Sequence, residues 1–208
     1  MKKAVVVLGV GSDGTSLFAG VLYRLGFYLG EDEDLIAPNK QNPKGFYEHK
    51  MIPDINRVIL KEHGIGEYEM TGIVEKSIYQ NEIEAFFEKT FKGKNRIALK
   101  DPRLCVTLPI WANVISKTHE LTVLNVHRSI DTHLVAITDG GKKTGSQATS
   151  YINNRKDLQL VMSSRYFSID VQFEDFIKDP EVATKRLVKE LKIRVTKKQM
   201  VAIVEFIS

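Results

Sequence analysis

Read for its hydrophobic and polar positions, the chain alternates short β-branched runs with longer stretches of helical period. Ala4 to Leu8 is a continuous aliphatic run that ends in a glycine cluster, the pattern of a strand covered on both faces. From Thr15 to Leu25 the residues Leu17, Phe18, Val21, Leu22 and Leu25 recur at helical spacing, with Gly26 where a helix stops. Residues Glu31 to Glu48 are polar, acidic and broken by Pro38 and Pro43, which predicts a long loop. Helices are predicted over Ile52 to His63 and Tyr79 to Phe91, a second strand over Arg96 to Leu99, a helix over Leu104 to Thr118 and a third strand over Leu121 to Val126. Ile130 to Thr138 reads as helix, Asp139 to Ser146 as a flexible loop, Tyr151 to Met162 as helix and Phe167 to Phe173 as a fourth strand. Two helices, Pro180 to Leu191 and Thr196 to Phe206, close the pattern.

Strands alternating with helices predict a three-layer α/β/α fold with a mainly parallel central sheet, whose ligands sit at the carboxyl ends of the strands. That rim would gather the glycine turn after the first strand, the charged exit Lys100-Asp101-Pro102-Arg103 after the second, and His127-Arg128 after the third. With 208 residues, 43% of them hydrophobic, a single domain over 1–208 is expected.

Composition narrows the ligand. Thirty basic and 26 acidic residues leave a net charge of +4 without the concentrated stripe of a nucleic-acid binder, so a small anionic ligand is expected instead. Cys105 is the one cysteine, so an intrachain disulfide is excluded and a reducing, cytoplasmic setting is expected. The apolar run behind Met1-Lys2-Lys3 stops at Gly9, too short for a secretion signal, and no stretch is long enough to span a membrane.

The turn Gly9-Val10-Gly11-Ser12-Asp13-Gly14-Thr15-Ser16 has the spacing of a phosphate loop, in which backbone N–H groups at a helix N-terminus close around phosphate oxygens. Thr15 stands where such loops carry lysine, which argues against ATP hydrolysis of the usual kind. The same residues also satisfy G-x-G-x-x-G, with Glu31 or Asp32 near the spacing of a ribose-binding acid. A Rossmann-type NAD(P) site is therefore a competing reading, although Phe27 to Leu29 is short for the strand it needs.

The stretch GVGSDGTSL resembles the 5′-phosphosulfate loop of the superfamily of sulfotransferases that use 3′-phosphoadenosine 5′-phosphosulfate (PAPS), especially its small bacterial members. Asn42-Pro43-Lys44-Gly45-Phe46-Tyr47-Glu48, Lys100-Asp101-Pro102-Arg103, and Phe173-Glu174-Asp175-Phe176 with Asp179-Pro180 follow in the family's order, so the resemblance covers nearly the whole chain. It implies sulfuryl transfer from PAPS, without a required metal, to a hydroxyl or amine of a small-molecule or glycan acceptor. It also implies that Gly11, Ser12, Asp13, Gly14, Thr15 and Ser16 hold the 5′-phosphosulfate and Arg128 the 3′-phosphate. Lys100 and Arg103 become candidate charge stabilisers, and Asp101 or Glu48 the candidate base. Two positions depart from the family pattern: Ser12 replaces a lysine or arginine, and Ala136 replaces a serine that grips the 3′-phosphate. Lys44 or Lys100 could replace the loop cation, and loss of catalysis with the fold retained is the alternative. Of the histidines nearest these motifs, His49 and His127 read as structural, and Glu174 with Asp175 as a helix-start acid pair.

Overall fold

The computed structural model describes residues 2–40, 42–67, 70–138 and 145–208, with backbone alone at 145–148. In chain order the elements are β1 (Lys3–Leu8), α1 (Thr15–Arg24), α2 (Met51–Glu62), α3 (Gln80–Phe91), β2 (Arg96–Lys100), α4 (Leu104–Ile115), β3 (Glu120–His127), α5 (Ile130–Thr138), α6 (Gly145–Ser164), β4 (Ser168–Gln172), α7 (Phe173–Lys178), α8 (Pro180–Glu190) and α9 (Lys197–Ile207).

The period-2 geometry of β1 explains the layers. Ala4, Val6 and Leu8 join one core with residues of α2, α3 and α4, while Val5 and Val7 join another with α1, α8 and α9. Helix α4 is apolar on every side and is buried almost throughout, around the fully buried Trp111. The sheet has four strands in the order β2-β1-β3-β4, every pair parallel, so the fold is the expected α/β/α sandwich. Because Val7 pairs with Lys100, Leu8 with Asn125 and His127 with Gln172, all four strands end on one rim.

Three boundaries differ from the sequence pattern. The fourth strand ends at Gln172, and Phe173 opens the short helix α7, whose first turn carries Glu174 and Asp175. Helix α6 starts at Gly145, so 145–146 of the predicted glycine-lysine loop are helical, and 139–144 lie outside the described residues. Helix α4 stops at Ile115 rather than Thr118.

The acidic loop is irregular apart from one 3-10 turn at Asp32–Asp34. Its two limbs meet through an isolated bridge between Leu35 and His49, the Ile36 N–H donating to the Glu48 carbonyl at 2.8 Å. That closure returns Glu48 to the rim.

Candidate functional site

The turn between β1 and α1 takes left-handed backbone at Gly11 (φ 89°), Ser12 (φ 61°) and Gly14 (φ 94°). Asp13 folds beneath it, 1% exposed, and accepts from the Val10 N–H at 2.6 Å and the Thr15 N–H at 3.2 Å. Gly9 leaves room for that carboxylate, since a Cβ there would lie 1.8 Å from Asp13 Oδ2.

Four side chains then hold consecutive carbonyls of the turn. Cys105 Sγ donates to Gly9 O at 3.4 Å, Arg155 Nη1 to Val10 O at 3.0 Å, His133 Nε2 to Gly11 O at 2.7 Å and Arg128 Nη1 to Ser12 O at 2.9 Å. In a trans peptide the C=O and the following N–H point opposite ways. Arg155 and His133 are buried, at 3% and 0% exposure, so the N–H groups of Gly11 and Ser12 turn away from the interior. Among the described residues the N–H groups of Gly11 to Gly14 meet no acceptor. Together with the N-terminus of α1, they make a row of backbone donors of electropositive character.

A cavity of about 1090 Å³ opens over this turn. Gly11, Ser12, Gly14, Thr15, Ser16, Glu48, Lys100, Arg103 and Arg128 all line its wall. The structure thus brings together the expected positions of three separate motifs; Asp13 and Asp101 lie behind the wall.

At the exit of β2 Lys100 is 5% exposed, and its ammonium lies 3.0 Å from Glu48 Oε2 and 3.4 Å from Ser16 Oγ. Burial outweighs this cation and, aided by the nearby Asp101 charge, raises the pKa of Glu48 to about 7. Asp101 is committed elsewhere. Its Oδ1 accepts from Asn56 Nδ2 at 3.1 Å and the Arg103 N–H at 2.8 Å, while Oδ2 pairs with Arg103 Nη1 at 2.8 Å. Arg103 continues to Glu67 at 2.9 Å, and Asn56 Oδ1 accepts from Thr107 Oγ1 and Trp111 Nε1, each at 2.8 Å.

Of the two lysines weighed as loop cations, Lys44 is spent on the last turn of α9, donating to Phe206 O at 2.8 Å and Ile207 O at 3.1 Å. Lys100 alone of the pair reaches the turn. Arg128 rests on the Phe173 ring at 4.5 Å, and Ala136 faces the same cavity without a hydroxyl, while Thr138 Oγ1 donates back to Leu134 O at 2.9 Å. His49 Nδ1 accepts the Met51 N–H at 3.2 Å, and His127 Nε2 meets Asp170 at 2.7 Å. Glu31 and Asp32 turn to Tyr28 and Tyr23, each at 2.9 Å, and neither lines the cavity, which removes the acid that the dinucleotide reading requires. Among the described residues no group of three or more His, Cys, Asp or Glu is placed to hold a metal, and no helix is long and apolar enough to cross a membrane.

Sequence reasoning missed His133 and Arg155. Both carried a signal: Ile152, Arg155, Gln159 and Met162 form one buried stripe of α6 at helical spacing, and His133 shares a buried face of α5 with Ile137. A polar residue within such a stripe marks a buried partner, although its spacing cannot say which one.

Among solved structures the chain is similar to one titled "Sulfotransferase Domain from the Curacin Biosynthetic Pathway", with a TM-score of 0.51 and 10% identity over 96% of this chain and 77% of that one. At this identity the likeness concerns the fold, which is sulfotransferase-like. No protein-family model and no curated protein sequence matches the chain.

Proposed function

We propose that this protein transfers the sulfuryl group of PAPS to a hydroxyl or amine of a small-molecule or glycan acceptor. The observation that carries the reading is the Lys100 ammonium, which stands between Ser16 Oγ (3.4 Å) and the Glu48 carboxylate (3.0 Å) beside a turn of unpaired N–H groups. The residues present fit the nucleotide at its 5′ end: the cavity of about 1090 Å³ suits a molecule of that size, and the turn beneath it carries N–H donors that meet no acceptor among the described residues. For the 3′ end the reading relies on Arg128, which lines the same cavity, while Ala136 brings no hydroxyl to it.

PAPS supplies an activated sulfuryl group with a phosphate leaving group. The N–H groups of Gly11 to Gly14 and the hydroxyls of Thr15 and Ser16 bind its anionic oxygens and orient them. Lys100 stabilises the negative charge that grows on the departing phosphate oxygen, a contribution of about 2.7–4 kcal/mol per well-placed donor. Glu48 accepts the acceptor's proton as the oxygen–sulfur bond forms, and a pKa of about 7 suits a base at neutral pH. Asp101, both of its oxygens engaged, positions Arg103 and the α4 entrance rather than moving a proton. The proposal includes a cytoplasmic setting, on the ground of the single cysteine, whose burial raises its pKa to about 12.

The testing experiment is a thermal-shift series with adenosine 3′,5′-bisphosphate, ATP and NAD, followed by sulfate transfer from PAPS to a hydroxyl and amine panel. The bisphosphate at ~100 times its Kd is expected to add ~2.7 kcal/mol, a rise of roughly 5–10 °C. A shift with ATP or NAD alone would overturn the assignment. Bisphosphate binding without any transfer would favour a binding protein of the same fold, which Ser12 and Ala136 make the second reading.

A further inference from the structure

Of the four side chains that close behind the glycine turn, Arg155 has no part in the chemistry above and is the hardest to explain as packing. A guanidinium 3% exposed needs partners, and it has two backbone carbonyls, Val10 at 3.0 Å and Glu67 at 2.9 Å, and the face of the Tyr151 ring at 4.1 Å. Among the described residues its buried Nε has no hydrogen-bond partner and no carboxylate forms an ion pair with it. The charge is held close to the turn, with Asp101 acting on it only from beyond ion-pair distance. A Cβ built on Gly11 would stand 3.5 Å from Arg155 Nη1, which puts the cation against the peptide whose N–H faces the cavity.

The turn itself supplies the opposite sign. Gly9 to Ser16 contains no lysine or arginine, and its one ionisable side chain is the buried acid Asp13. An anion resting on Gly11 and Ser12 therefore draws on cations from outside the turn, beyond the half-charge of a helix N-terminus.

We propose that Arg155 is the positioning residue of this anion cradle: it pins Val10 O so that the Gly11 N–H faces the cavity, and from behind the turn it adds to the positive charge that Arg128 and Lys100 bring to its open side. The inference rests on the reading of the turn as the seat of a phosphosulfate, and deepens it by assigning one of its counter-charges to α6, over 140 residues away in the chain.

The test measures binding of inorganic pyrophosphate and of adenosine 3′,5′-bisphosphate by calorimetry in wild type, Arg155→Gln, Ser12→Lys and the double variant, with a thermal melt of each. Arg155→Gln is expected to weaken both ligands at least about tenfold. Ser12→Lys, which places an ammonium on the cavity wall, is expected to gain more affinity in the Arg155→Gln background than in wild type. Equal gains in the two backgrounds, or unchanged affinity in Arg155→Gln, would overturn the proposal. If Arg155→Gln does not fold, Arg155→Met takes its place, because methionine keeps much of the length without the charge or the donors to Val10 O and Glu67 O, and the same non-additivity is required. Wild type that binds pyrophosphate through Arg155 but ignores the bisphosphate would sink the nucleotide reading alone. Wild type that binds the bisphosphate with no dependence on Arg155 would sink this inference alone, and no binding of either ligand sinks both.

Discussion

The turns that follow β1 and β2 leave neighbouring strands on the same rim, yet they dispose of their polar groups in opposite ways. After β1 the carbonyls are tied down by Cys105, Arg155, His133 and Arg128 while the N–H groups of Gly11 to Gly14 stay open. After β2 the Asp101 carboxylate is closed upon Asn56 and Arg103, leaving Lys100, its partner Glu48 and Arg103 as the charged groups that face the cavity. Both turns are held by side-chain hydrogen bonds. What separates them is which groups those bonds leave facing the cavity: backbone N–H groups after β1, charged side chains after β2.

The comparison is put at greatest risk by Glu48→Gln. Transfer is expected to fall by about 10²–10⁴-fold, because the proposed mechanism gives the acceptor proton to Glu48. In wild type kcat/KM should climb as pH rises through about 7 and then level, since the base must be ionised; the variant should lose that limb. Stability has the opposite sign. A carboxyl whose pKa is raised from 4.5 to about 7 on folding favours the folded state at low pH, and this contribution is lost as pH rises through about 7. Denaturant midpoints of Glu48→Gln should therefore decline less than wild type over that interval.

Lys100→Met comes next, with kcat expected to drop about 10²–10³-fold and the Kd of adenosine 3′,5′-bisphosphate to move far less, as read by steady-state rates beside calorimetry. An unchanged kcat would place the stabilising charge elsewhere. Asp101→Asn should instead cost about 1.5–3 kcal/mol of stability in a urea melt, with the rate of the folded fraction changing by less than about tenfold. Should it abolish transfer with the fold intact, the β2 exit is reactive and the contrast fails. The smallest effect is expected from Lys44→Ala, about 0.3–1 kcal/mol in a thermal melt, from the lost cation at the last turn of α9.

Local periodicity made the layers legible, because β1 buries both its faces and can be read as such from Ala4 to Leu8 without knowing what covers it. The same reading located the rim, and with it Lys100, Arg128 and the glycine turn. It could not separate Asp101 from Glu48. Two carboxylates alike in the sequence differ in whether Asn56 and Arg103 fold over one of them, a matter of contacts 45 residues and 2 residues away. Helix α7 was hidden because Phe173 extends the alternation of the preceding strand before turning onto Gly14, where a Cβ would meet its ring at 2.3 Å. The carbonyl clamp was invisible for the same reason: His133 and Arg155 look like oddities in apolar stripes until the turn they grip is brought to them.

Trp111 is the chain's one tryptophan, fully buried, and its indole N–H donates to Asn56, whose amide in turn holds Asp101. All indole emission therefore comes from a single ring, two hydrogen bonds away from the exit of β2. The protein carries its own optical gauge: a shift in that fluorescence as a ligand is titrated would report strain in the Asp101 network without any label, dye or coupled assay.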